Sequence, residues 1–178
     1  AKANPGKLNY ASPGNGSPHH LAMEMFKNRT KTFLTHIPYR GAAPALQDVM
    51  GGQVPCMFLD LAAGLPVITS GKVRALAIGS AKRVAALPDV PTLAEAGVPN
   101  TEVFAFQGIL APAGLPAAIT TRLNTDLNKA LLNPAVVKRM NDFGMEALPG
   151  TPEQFRAMAR AESKRWGEII KAAGVKLD

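Results

Sequence analysis

Strands alternating with helices of about ten residues predict a doubly wound α/β domain over residues 7–100, followed by a mostly helical segment. Three observations carry this. Short apolar runs rich in branched and aromatic residues recur, each is followed by a turn of small residues, and each turn opens a stretch with apolar residues at helical spacing. The 16 glycines and 15 prolines fall between these periodic segments rather than in one low-complexity tract, and no internal repeat is visible. With 178 residues, 47% of them hydrophobic, the chain can bury the core of one medium domain or two small ones.

The first strand is KLNYAS (7–12), which runs into the loop PGNGS (13–17). Ser17 is placed as an N-cap with Pro18 at the first helical position, where the missing N–H costs nothing, and Leu21, Ala22, Met25 and Phe26 form the buried stripe. TFLTHIPY (32–39) is the second strand, RGAA (40–43) a small-residue turn, and PALQDVMGG (44–52) a helix that stops at Gly51 or Gly52. VPCMFLD (54–60) reads as a buried strand ending in Asp60, LAAGLPVITSGK (61–72) as a helix closed by Gly71, and VRALAIGS (73–80) as a parallel-sheet strand.

A short helix capped by Thr92 and ended by Gly97 comes next, then the strand VFAFQGILAPAG (103–114). Three helices follow. The first carries Leu123, Leu127 and Leu131 at i, i+4 spacing; the second is PAVVKRMNDFG (134–144); the third opens on a capping box, Thr151 with Gln154. Phe155, Met158, Glu162, Trp166, Ile169 and Ile170 mark one face of that last helix, which reads as packing rather than cofactor contact. The opening AKAN (1–4) reads as the tail of a helix.

Several function classes lose support. The net charge of +7 is dispersed in pairs such as Lys82 with Arg83, Lys138 with Arg139 and Lys164 with Arg165, with no nucleic-acid module, so no nucleic-acid partner is expected. A single Cys56 offers neither a disulfide framework nor a zinc cluster, and reads as a core residue. The uncharged run 103–121 is broken by Gly108, Pro112, Gly114 and Pro116, and the opening residues show no signal peptide.

The loop at 12–17 lacks the Lys and Ser or Thr that a phosphate loop requires, and His19 stands where a dinucleotide fingerprint needs glycine. His19 and His20 are adjacent, so on a helix they diverge by about 100° and do not share a metal; His36 is alone in its strand, and no metal or cofactor is expected. Nor is there a nucleophile elbow or a carboxylate pair for catalysis: only Asp60 and Asp89 lie near strand ends. What remains is a non-enzymatic site in which two helix N-termini, each preceded by small residues, offer backbone N–H groups to a carboxylate or another anion.

The segments ANPGKLNYASPGNGSPHHLAMEMFK, HIPYRGAAPALQDVMGGQV, GKVRALAIGSAKRVAALPDVPTLAEAGVP, GILAPAGLP and RWGEIIKAAGVK resemble the Bug family, extracytoplasmic solute receptors of tripartite tricarboxylate transporters, in order over essentially the whole chain. The resemblance implies a periplasmic-binding-protein type II fold, with residues 1–103 as the second domain and 104–178 as the returning C-terminal part of the first. The remainder of the first domain, the signal peptide and a further loop of the site would lie upstream.

It further implies an exported, periplasmic protein. Such a receptor captures a di- or tricarboxylate, an acidic amino acid or an aromatic acid, and delivers it to the transporter's membrane subunits by closing about a hinge. Contacts carried over by position are Ser12, Gly14, Asn15, Gly16 and Ser17 in the first loop, Arg40, Gly41, Ala42 and Ala43 in the second, and Asp60. Pro55, Cys56 and FAFQG (104–108) depart from the family's usual residues, so the solute is not carried over. Another reading is a ligand-sensing effector domain of a transcription regulator, which shares the architecture; an α/β transferase or hydrolase lacks a visible nucleophile. Helices over 116–173 are expected to expose apolar surface and favour association between chains.

Overall fold

The computed structural model describes residues 1–103 and 105–175. Its elements are β1 (Asn9–Ser12), α1 (Pro18–Thr30), β2 (Thr35–Pro38), α2 (Ala42–Met50), α3 (Leu61–Thr69), α4 (Ala117–Leu131), α5 (Pro134–Asp142) and α6 (Pro152–Ala173). Two compact units result: residues 1–105 together with the chain from Trp166 onward, and residues 106–165.

The first unit is built on β1, whose Tyr10, Ala11 and Ser12 are all fully buried. Because side chains alternate across a strand, Tyr10 and Ala11 serve opposite faces. Tyr10 packs with Met23 and Leu34, and Ala11 with Ala45 and Val54, so α1 covers one face and α2 the other. The strand β2 runs parallel to β1 with Tyr10 opposite His36 and Ser12 opposite Pro38. This is the doubly wound α/β arrangement in miniature, a sheet strand with a helix on each side.

Local chemistry sets the helix ends. The Ser17 hydroxyl accepts from the His20 N–H at 3.3 Å with Pro18 following, as its cap position predicts. At the other end Lys31 adopts φ 53°, ψ 43° and returns its N–H to the Lys27 carbonyl. In α2, Gly51 returns its N–H to Gln47. Gly71 follows α3 at φ 71° and donates to Ile68.

Five expectations differ from the structure. Residues 54–60 contribute a single bridge, Ala11 with Met57, backed by the Ala11 N–H to Cys56 carbonyl bond at 2.9 Å. Cys56 itself is half-buried against the Tyr10 cluster, and burial raises its thiol pKa.

Residues 73–80 likewise form a single bridge, Ile78 with Thr92, through the Pro91 carbonyl and the Leu93 N–H, beside a bond from the Val103 N–H to the Gly79 carbonyl at 2.7 Å, and Pro91 cannot donate in return. Thr92 does form a reciprocal cap, its hydroxyl accepting from the Glu95 N–H and Glu95 from the Thr92 N–H. Yet Gly97 at φ 90° ends the segment after one turn, so there is no helix.

In the predicted strand 103–114, Phe104 lies outside the described residues, and 105–114 form no strand. The Phe155 ring occupies the space a side chain at Gly108 would need. Ala1 to Asn4 are not helical: Asn4 donates to the Ala1 carbonyl and Lys7 to Asn4, a pair of turns around Pro5 and Gly6.

In the second unit, Asn128 and Gly150 exchange two bonds at 2.9 Å each, tying α4 to the chain before α6. The Thr151 and Gln154 capping box is formed. Neither α4 nor α5 contains a buried residue, and Ile109, Leu110, Leu132 and Leu148 are exposed. Of the predicted face of α6, Phe155, Met158 and Glu162 in this unit and Trp166 in the first are half-buried, but Ile170, also in the first, is exposed. Among the described residues no helix is long and apolar enough to cross a membrane.

Lys31 holds a left-handed conformation that costs a residue with a Cβ about 1 kcal/mol. Lys31→Gly is expected to raise unfolding free energy by about that amount in urea titration, with an unchanged slope.

Candidate functional site

The parallel register brings the carboxyl ends of β1 and β2 side by side, so the loops leaving them, 12–17 and 39–43, become one structure. The Tyr39 N–H donates to the Ser12 carbonyl at 2.9 Å and the Gly41 N–H to the Pro13 carbonyl at 3.1 Å. Gly14, at φ 145°, lies so close that an added Cβ would sit 3.5 Å from the Tyr39 carbonyl oxygen. Outward from these, Tyr39 donates its hydroxyl to Asp48 at 2.7 Å, which raises the phenol pKa and anchors the second loop to α2.

Within the first loop most donors are already used. The Ser12 hydroxyl, fully buried, accepts from the Gly14 N–H at 3.2 Å and lies 3.1 Å from the Gly14 carbonyl and 2.6 Å from His36 Nε2. Gly16 donates its N–H to His20 Nδ1 at 3.0 Å, and Ser17 donates to the Gly14 carbonyl at 3.3 Å. This corrects the expectation that both loops present backbone donors. The N–H groups of Gly14, Gly16 and Ser17 hold the loop's shape, and Ser12 supports it from beneath.

The second loop is different. Gly41 is the N-cap of α2 at φ 118°, ψ 170°, and it offers no side-chain cap. Ala42 and Ala43 are the first helical residues, so their N–H groups have no intrahelical acceptor, and Pro44 has none to give. Arg40 stands exposed beside them and forms no ion pair with any described acidic residue. Amide donors and the positive end of a helix dipole therefore stand open in the second loop, with the exposed Arg40 immediately before them in the chain.

Asp60 caps α3 without a side-chain hydrogen bond, and its carboxylate, 64% exposed, lies 3.3 Å from His19 Nε2. That contact is misaligned for a hydrogen bond, so it is an electrostatic neighbour only. It does bring the third predicted element of the site to the first turn of α1. Among the described residues, no group of three or more His, Cys, Asp and Glu is placed to hold a metal ion.

Sequence reasoning missed the support beneath the first loop. His20 and His36 stack with ring centroids 3.9 Å apart, and Tyr10 stacks on His36 at 4.9 Å. The available signals were the i, i+4 pair His20 and Glu24 on the buried stripe of α1, and the register that sets His36 opposite Tyr10.

An α/β fold with backbone-lined loops at the carboxyl ends of its strands is the architecture of periplasmic solute-binding proteins. R. palustris Rpa4515, solved with adipate, superimposes with a TM-score of 0.88 at 36% identity, covering 98% of this chain and 58% of that one. Rhodopseudomonas palustris MatC, solved with bound malate, gives 0.76 at 33% identity over 93% and 57%. BugT of Bordetella pertussis is 38% identical over 99% of this chain and 54% of its own length. The family model for the tripartite tricarboxylate transporter family receptor matches residues 1–175, and the chain belongs to that family, one of receptors rather than enzymes. It spans about half the length of the curated relatives it matches.

Gly41 occupies a region that residues with a Cβ avoid, although nothing lies within 4 Å of where that Cβ would be. Gly41→Ala is therefore expected to cost about 1–3 kcal/mol through the backbone alone, measured by denaturant unfolding.

Proposed function

We propose that this chain supplies one wall of the solute site of a periplasmic receptor, which captures a small carboxylate without chemical change and delivers it to the membrane subunits of a tripartite tricarboxylate transporter. The observation that carries the reading is the uncommitted donor set of the second loop, the N–H groups of Ala42 and Ala43 with Arg40 alongside. A carboxylate oxygen accepts from both amides as it would at any helix N-terminus, and the guanidinium offers a planar pair of donors to the same group. Family membership and the adipate and malate held by the solved relatives support this class of solute.

The ten residues Ser12, Gly14, Asn15, Gly16, Ser17, Arg40, Gly41, Ala42, Ala43 and Asp60 take three roles in this proposal. Arg40, Ala42, Ala43, Asn15 and the Ser17 hydroxyl face the solute. Ser12, Gly14, Gly16 and Gly41 hold the loops in register, and Asp60 sets the charge of the rim, favouring solutes that keep a hydroxyl or amine near it.

Calorimetry on the full-length receptor with a panel of dicarboxylates, amino acids and neutral sugars tests the reading. Arg40→Met is expected to weaken carboxylate binding about tenfold to a hundredfold, the worth of a hydrogen bond to a charged group. Binding of a neutral sugar with no response to any anion would reject the proposal. The 178-residue chain on its own is expected to self-associate through the exposed Ile109, Leu110 and Leu132, with an apparent mass in sedimentation that rises with concentration.

A further inference from the structure

Behind the first loop lies a buried polar chain that solute contact does not explain. Gly16 donates its N–H to His20 Nδ1 at 3.0 Å, so that nitrogen carries no proton and the ring's proton sits on Nε2. Nε2 lies 3.8 Å from Glu24 Oε1, and the same carboxylate oxygen accepts from the Tyr10 hydroxyl at 2.6 Å and from Lys27 Nζ at 2.5 Å. On its other side the His20 ring lies against His36, whose Nε2 meets the Ser12 hydroxyl under Gly14. Both loop glycines, 14 and 16, thus rest on one stacked histidine pair.

We propose that His20, with His36 behind it, is a positioning residue for the solute loop, and that proton uptake by the stacked pair releases Gly16 and lowers affinity for the solute. A proton added at His20 Nδ1 would point an N–H at the N–H of Gly16, removing the acceptor and setting two donors against each other. The groups facing the pair are Tyr10 and Ser12 from β1, Glu24 and Lys27 from α1, and the rings themselves. Glu24 and Lys27 compensate one another, so neither cancels the penalty. Asp60 faces His19, not this pair.

Burial lowers the pKa of His20, and burial followed by the His20 neighbour brings His36 to about 4. The sign follows from linkage. A histidine whose folded pKa lies below its unfolded value near 6.5 favours the intact loop fully above that value, and the benefit is lost as pH falls toward the folded pKa. The functional part of this inference rests on the carboxylate reading above.

The test uses the full-length receptor, with adipate as probe and two variants. His20→Asn places an amide oxygen where Nδ1 stood and does not titrate; His20→Phe removes the acceptor. At about pH 7 the asparagine variant is expected to bind adipate within about twofold of wild type and the phenylalanine variant about tenfold more weakly. As pH falls below about 6.5 toward 4, wild-type affinity should fall further than that of His20→Asn, a difference that the probe's own protonation, common to both, does not produce.

Without any solute, the Gly16 amide should be protected from exchange in wild type and His20→Asn. In wild type it should lose protection as the His20 ring titrates in nitrogen-15 spectra. If His20→Asn and wild type share one pH profile, or if Gly16 stays protected while His20 is charged, the inference is overturned. Should wild type bind no carboxylate, the functional reading fails, and the same exchange measurement still decides whether His20 holds the loop.

Discussion

The register between β1 and β2 is the constraint on which the site depends. Pairing Ser12 with Pro38 ends both strands at the same level, so the Tyr39 and Gly41 N–H groups find the Ser12 and Pro13 carbonyls immediately beyond the ladder. A slip of one residue would reverse every side chain. Tyr10 would leave the α1 face, Ala11 would face a helix that needs more than a methyl group, and His36 would no longer meet Ser12. The two fully buried faces of β1 make such a slip costly, which is how a two-stranded ladder of four residues each can fix a loop pair.

Capping chemistry made the helices legible in the sequence. Ser17 with Pro18, Gly51 and the Thr151 with Gln154 box are local signals that act through a side chain or a glycine within a few residues, and each occurs in the structure as read. Strands are less legible because pairing is decided by a partner elsewhere in the chain. Residues 73–80 read as a parallel-sheet strand, yet their single bridge, Ile78 with Thr92, adjoins Pro91, a neighbour that accepts but cannot donate. In the candidate site, the positions of the two loops could be read from small residues before helix starts. Which loop keeps its donors could not, since that depends on Ser12 and His20, whose engagement with Gly14 and Gly16 is a matter of tertiary placement.

A division of labour between the loops follows. The first carries its own hydrogen bonds and is therefore rigid; the second is tied to it through Gly41 and leaves its helix amides open. Rigidity beside open donors reduces the ordering cost that an incoming anion would otherwise incur. Recognition that relies on main-chain amides reads the carboxylate group and little of what is attached to it. The relatives Rpa4515 and MatC were solved with solutes as different as adipate and malate, and in the proposed site discrimination would be left to side chains elsewhere.

Charge placement sharpens that point. The chain carries a net +7, which steers anions toward it over a distance of about a Debye length. At close range the balance changes, because Asp60 stands at the N-terminus of α3 and beside α1, where it already occupies part of the positive potential of those helix ends. In the proposed site a solute carboxylate would be directed away from Asp60 toward the α2 terminus and Arg40, which forms no ion pair with a described acid. The neutral His20 and His36 pair fits the same arrangement: a permanent cation beneath the first loop would offer anions a second focus on the wrong side of Gly14, and burying the rings uncharged leaves the second loop as the only strong attractor among the described residues of this loop pair.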